Sequence, residues 1–267
     1  MNAFIKSKIR NMMHQLLLPR GRQYKPRPEL EYGWDKIFIE NGEKRICVLW
    51  NKNSSIDTNR IIILSHPYLT DAKSFFLVRG HTEMYLEHQY QVVLFDYNGF
   101  GESPFVDFNY AEDLRIVADF VKKRASEAIV FGHGISFGAS HTINYGTKEQ
   151  NVFHKIIVEN CLDSNLSYYR KRNKKLHVVM LGLMKIFPQV NKDHDYIKSM
   201  SKLTGVNGVL LIYNNNDDLT TVSMGKSLYL ASNIPAQLVT FDGIHLRALQ
   251  DNKEAYTKEV ISFLQNI

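Results

Sequence analysis

The stretch GHGISFGAS, residues 132–140, sets Ser136 between Gly134 and Gly138, directly after the apolar run AIVF at 128–131. A strand that turns sharply into a helix holds the residue at the turn in a strained conformation, and this demands small neighbours two positions to either side. The glycines meet that demand. The spacing therefore predicts a serine hydroxyl pushed out above a sheet at the N-terminus of the helix FGASHTINYG, where the helix dipole favours developing negative charge. A serine hydroxyl is a weak nucleophile; it needs a base, and the base needs an orienting acid. NNNDDLTT follows the run VLLIY at 209–213, and DGIHL follows QLVTF at 237–241, offering Asp217 or Asp218 as the acid and His245 as the base. Asp163, just after IIVE at 156–159, is a third candidate acid. The chemistry open to such a set is attack on an acyl carbonyl, an acyl-enzyme, and transfer of the acyl group to water or another acceptor.

These side chains need a scaffold, and the apolar runs outline one. IIIL (61–64), VVLFD (92–96), AIVF, IIVE, VLLIY and QLVTF are nearly continuous in apolarity, as expected of strands covered on both faces. Helical stripes lie between them: Leu114, Val117, Ala118 and Val121 in one, Ala255, Ile261 and Leu264 in another, the latter behind Asp251 and Glu254 as a capping pair. Ahead of them, WDKIFIENGEKRICVLW at 34–50 places Asn41-Gly42 between two β-rich runs and predicts a hairpin. Right-handed crossovers then give an α/β fold, a mostly parallel central sheet with helices on both faces and an N-terminal antiparallel hairpin. Residues 162–207 are too many for one crossover helix and are expected to form a small helical cap insertion over the strand ends, where such sheets place ligands. The expected organisation is an amphipathic extension at 1–30 and one α/β domain at 31–267.

With its elements in this order, the chain resembles the α/β-hydrolase superfamily from about residue 34 onward. GISFG looks like the nucleophile elbow, LSHPYLTD like the loop that carries an oxyanion donor, and FDYNGFGESP is similar to the D-x-R-G-x-G-x-S turn. The resemblance implies that Ser136 is the nucleophile, His245 the general base and acid, and Asp217, by its count from Asn214, the group orienting the imidazole. It further implies that the backbone N–H groups of Tyr68 and Phe137 form the oxyanion hole. The chain departs from the family at Pro67 and Asn214, where glycine is common, at Asn98, where arginine is frequent, and at Thr221, where proline is common. Proline has no N–H, but the implied donor is the next residue. Ester or thioester cleavage is the expected reaction. Amide cleavage by a peptidase of the same superfamily is the nearest alternative, and a non-catalytic binding protein on the same fold is a further one. A haloalkane dehalogenase would need a carboxylate where Ser136 stands.

Composition narrows the partners. Hydrophobic residues make up 44% and charged residues 22% of the chain, values of an ordinary globular protein. Cys47 and Cys161 are far apart, which suggests neither a disulfide framework nor a thiolate zinc site and fits a reducing, cytoplasmic setting. None of the histidines has metal-ligand spacing, so no metal and no cofactor is expected. The net charge of +6 gathers at the N-terminus and at YYRKRNKK, 168–175, without a nucleic-acid motif, and reads as a solvated face; the expected partner is a small acyl ester or thioester. Residues 1–22 carry Ile5, Ile9, Met12, Met13 and Leu16 on one helical face, which suits packing on the body or peripheral contact with a membrane. The longest apolar run, LHVVMLGLMKIF at 176–187, is shorter than the about 20 residues that cross a bilayer. Its Met180 and Met184 suit either an acyl chain beneath the cap or packing of the cap itself.

Overall fold

The structure, a computed structural model, describes residues 27–51, 59–186 and 194–266; the amphipathic segment expected at 1–22 lies outside the described residues. Eight strands form one sheet in the order β1-β2-β4-β3-β5-β6-β7-β8. β1 (Trp34–Asn41) and β2 (Lys44–Asn51) are the antiparallel hairpin, and β2 also pairs antiparallel with β4 (Gln91–Phe95). β3 (Arg60–Ser65), β4, β5 (Ile129–Ile135), β6 (Phe153–Glu159), β7 (Val209–Asn214) and β8 (Ala236–Phe241) run parallel. The hairpin turn sits one residue later than Asn41-Gly42 suggests. Asn41 still pairs with Lys44, and Gly42, at φ 58°, takes the first of the two turn positions.

Alternation along the strands sorts the core into two layers. Ile61 and Ile63 of β3, Val93 and Phe95 of β4, and Val209, Leu211 and Tyr213 of β7 face one side. There they meet α3 (Tyr110–Arg124) through Leu114, Val117, Ala118 and Val121, α4 (Phe137–Gly146) through Ala139 and Ile143, and α8 (Val222–Ala231) through Met224 and Leu228. Ile62, Leu64, Val92, Leu94, Leu210 and Ile212 face the other side, against α1 (Ser74–Arg79), α2 (His81–Glu87), α9 (Ala248–Asp251) and α10 (Lys253–Gln265). Burial on both faces is why these strands lack a polar alternation. The expected α10 stripe is corrected in detail: Ala255 is exposed, and Tyr256 joins Val260, Ile261, Phe263 and Leu264 on the buried face. Asp251 ends α9 and bonds Arg247, so it does not cap α10.

Between β6 and β7 the chain forms α5 (Asn165–Arg172), α6 (Lys174–Ile186) and α7 (Tyr196–Met200). Tyr196, Met200, Leu203 and Val206 belong to the main core beside α4, whereas Met180 and Met184 close a separate small cluster with Leu166, Tyr169, Leu176 and Leu183. The methionines thus pack α6 onto α5. The chain passes from β3 to β4 on one side and from β5 to β6 on the other, so the strand order reverses between β3 and β5. In open parallel sheets the crevice at such a switch point, outside the carboxyl ends of the strands, is where ligands bind.

Candidate active site

Ser136 stands at that switch point, between the end of β5 and the first turn of α4, with φ 53° and ψ −111°. A non-glycine residue there is strained and persists only where its surroundings over-determine it. Here the Ser136 N–H donates to the Glu159 carbonyl at 2.8 Å, and the Ser136 carbonyl accepts from the Ser140 N–H at 3.3 Å. The flanking glycines are required by space. A Cβ on Gly134 would lie 2.5 Å from the Gly138 carbonyl oxygen, and one on Gly138 would lie 1.9 Å from that of Ser65.

The loops after β7 and β8 bring the other two groups. The Ser136 hydroxyl is 3.1 Å from His245 Nε2, and His245 Nδ1 is 2.6 Å from Asp217 Oδ2. Thr220 Oγ1 donates to the same Asp217 oxygen at 2.5 Å and lies 3.2 Å from His245 Nδ1. With the threonine proton committed to the carboxylate, Nδ1 must carry the imidazole proton and share it between Asp217 and Thr220. That leaves the Nε2 lone pair facing the serine. Asp217 is held from further directions: its Oδ1 accepts the N–H groups of Leu219 at 2.7 Å and Thr220 at 2.9 Å, and its Oδ2 accepts Asn160 Nδ2 at 3.0 Å. Burial alone would raise the Asp217 carboxyl, but the hydrogen bond and charge of His245 and the bonds from Thr220 outweigh it and hold the group below its ordinary value.

The rival acids lie elsewhere. Asp218 is exposed, and its backbone carbonyl accepts Lys171 Nζ of α5. Asp163 turns to α7, accepting the N–H groups of Tyr196 and Ile197 on its carbonyl.

Tyr68, after β3, and Phe137, the first residue of α4, lie against each other with ring centroids 6.0 Å apart. The loop carrying Tyr68 is pinned by the buried His66, whose Nδ1 donates to the Pro67 carbonyl at 2.8 Å while its Nε2 accepts the Tyr97 N–H at 3.2 Å. Burial pushes the His66 imidazole down to about 4, against the opposing pull of Asp96, so the ring is neutral and can make both bonds. His141 is also buried, wedged against Phe137 with ring centroids 4.5 Å apart, and is pushed down to about 3 by that burial.

Two departures from the hydrolase pattern acquire partners that their spacing did not mark. Asn214 donates to the carbonyl of Ile244, so the acid-bearing turn is tied to the residue next to His245. Asn98 donates through its N–H and side-chain amide to Asp113 Oδ2 at 2.9 and 2.6 Å and accepts the N–H groups of Val106 and Asp107. Asp113 in turn pairs with Lys44 Nζ at 2.6 Å. Thr221 stands at the N-terminal boundary of α8, where its carbonyl accepts the Met224 N–H at 2.9 Å and its hydroxyl lies 2.8 Å from Ser223 Oγ. Thr220 and Asn160 left a weaker trace, since nothing in their spacing marks them apart from nearness to a turn.

Among the described residues, Cys47, Asp96 and Glu102 could approach a common metal ion. The buried Lys73 ammonium already lies 2.8 Å from both Asp96 Oδ2 and Glu102 Oε2, which supplies the cation those carboxylates need. Both cysteines are buried and free.

No family model matches the chain, and no curated protein matches it. Solved structures do. An esterase from Pyrococcus furiosus superposes with a TM-score of 0.74 at 18% identity, covering 92% of this chain and 96% of that one. An α/β serine hydrolase homologue from Coxiella burnetii gives 0.63 at 15% identity over 86% and 97% of the two chains. An esterase from Exiguobacterium antarcticum gives 0.63 at 16% identity over 87% and 100%. At these identities the likeness is one of fold, and the sheet order, the sharp turn at Ser136 and the superpositions together assign this chain the fold of the α/β-hydrolase superfamily.

Proposed function

We propose that the protein is a serine hydrolase that cleaves a carboxylic ester or thioester through an acyl-enzyme. The observation that carries this reading is the continuous chain Ser136 Oγ, His245 Nε2, His245 Nδ1, Asp217 Oδ2, with links of 3.1 and 2.6 Å. His245 Nε2 takes the hydroxyl proton as Ser136 Oγ bonds to the acyl carbon. The oxyanion forms toward the backbone N–H groups of Phe137 and Tyr68, at the positive end of α4. Collapse breaks the bond to the leaving group, which receives the proton from Nε2. Water then adds to the acyl carbon by the same path and releases the acid and Ser136. Asp217 stays ionised throughout and stabilises the imidazolium. Two of the structural neighbours are esterases, which supports an ester substrate. The described part of residues 162–207 acts as a cap in this reading, with Lys171 of α5 joined to the turn that bears the acid.

The test is labelling by a fluorophosphonate probe, located by mass mapping, in the wild type, Ser136→Ala and His245→Ala. The expected result is modification of Ser136 in the wild type and its loss in both variants. A folded wild type that takes no label would overturn the reading.

A further inference from the structure

The α5–α6 pair presents a surface that the reaction does not use. Residues 164–186, SNLSYYRKRNKKLHVVMLGLMKI, contain Arg170, Lys171, Arg172, Lys174, Lys175 and Lys185 and no aspartate or glutamate. α6 has two apolar faces. Leu176, Met180, Leu183 and Met184 meet Leu166 and Tyr169 of α5. Lys174, Val178, Leu181 and Lys185 run along the exposed side at helical spacing, with Lys175 and Val179 beside them. Val178 is 67%, Val179 55% and Leu181 41% exposed, and a Cβ added to Gly182 would meet nothing within 4 Å. An aliphatic strip is thus open to solvent with lysines at both ends. In that arrangement alkyl stems lie along an apolar phase while the ammonium groups reach its polar edge.

We propose that this exposed face of α6, together with the basic end of α5, docks on the surface of an anionic lipid bilayer. Such a surface answers both features at once, since its headgroups meet the cations and its acyl boundary takes up Val178, Val179 and Leu181. No acidic residue within 164–186 offsets its six cations, and the exposed Asp218 beside Lys171 is outnumbered by them. The bond from Lys171 Nζ to the Asp218 carbonyl places the basic end beside the turn that bears Asp217, so docking sets the candidate active site close to the lipid. The contact stands on the surface alone and does not require that Ser136 be a nucleophile.

The test is flotation of the full chain with phosphatidylcholine vesicles containing about one third phosphatidylglycerol, and with phosphatidylcholine vesicles alone. Two double variants accompany the wild type: Val178→Ser with Leu181→Ser, and Lys174→Gln with Lys175→Gln. All four side chains are exposed, so thermal melts of the variants are expected to match the wild type. The wild type is expected to float with the anionic vesicles and not the neutral ones, less so as salt rises. Each double variant is expected to lower partitioning roughly tenfold or more. Recovery of the wild type with neither vesicle overturns the proposal. Recovery of both variants at the wild-type level also overturns it, and locates the binding elsewhere in the chain. A wild-type dimer that the same substitutions dissolve, without vesicle binding, overturns it in favour of a second copy.

Discussion

A Cβ atom on Gly138 would stand 1.9 Å from the carbonyl oxygen of Ser65 and 2.4 Å from its carbonyl carbon. The first turn of α4 is therefore seated directly on the end of β3, and this contact brings Phe137 against Tyr68. Gly138→Ala must drive the helix N-terminus off the strand, because both obstructing atoms are backbone. The expected cost is about 1–3 kcal/mol of stability, read by urea denaturation, together with loss of fluorophosphonate labelling at Ser136. Wild-type stability and labelling in this variant would mean that the close seating is not required.

Asp217 and Asp218 are adjacent in sequence but differ in environment, and the difference is measurable. Asp217→Asn removes the charge facing the imidazolium and disturbs the tautomer that Asp217 and Thr220 impose on His245. Ester hydrolysis should fall on the order of 10³–10⁴-fold with the fold retained. Asp218→Asn should leave the rate unchanged, since Asp218 is exposed. A chain-length series of p-nitrophenyl esters supplies the assay, and equal losses in the two variants would refute the assignment of the acid.

Thr220→Val tests the shared proton. The hydroxyl donates to Asp217 Oδ2 at 2.5 Å and receives part of the His245 Nδ1–H bond at 3.2 Å. Valine keeps the shape and removes both contacts, so the expected effect is a loss of roughly tenfold in kcat with KM little changed. A rise in KM alone would place Thr220 in substrate binding instead.

The buried neutral histidines make stability depend on pH. His66 has an ordinary value of 6.5 and is pushed down to about 4 by burial. Between these values the unfolded chain binds a proton that the folded chain does not, so the His66 contribution is complete above about 6.5 and is lost as pH falls toward 4. The interval corresponds to roughly 3 kcal/mol at 1.36 kcal/mol per unit. His66→Asn keeps one donor for the Pro67 carbonyl and one acceptor for the Tyr97 N–H without the titration. Urea midpoints from pH 7 to 4 should fall less steeply in this variant, and parallel curves would show that His66 does not set the slope.

Lys73 is fully buried and pairs with Asp96 and Glu102 beneath the loop that follows β4. Lys73→Met leaves the buried Asp96 carboxylate without its cation, while Glu102 keeps Lys36 Nζ at 3.1 Å, and should destabilise the protein by about 3–5 kcal/mol. Lys73→Arg, with the charge kept, should recover part of that, and chemical denaturation of the two variants side by side is the check.

The sequence alone determined what is local or periodic. The runs at 61–64, 92–96 and 209–213 are apolar because both faces of their strands are covered, and the glycines at 134 and 138 are there because a Cβ would run into α4 at the first and into the end of β3 at the second. The serine and histidine were legible for the same reason, each following a strand in a short turn. What the tertiary structure decided depends on directions that no spacing encodes. Backbone geometry after β7 turns Asp217 inward, where the Asp217 N–H bonds the Asn214 carbonyl at 3.2 Å, and leaves its neighbour Asp218 in solvent. Asn160, 57 residues from Asp217, reaches it because β6 and β7 are neighbours in the sheet, and Asn214 reaches Ile244 because β7 and β8 are. The two methionines of α6 could have faced a substrate or a helix, and the packing of α5 against α6 settled that they face the helix. Local pattern names the groups able to do chemistry, while the meeting of distant strand ends sets which atoms of those groups point at one another.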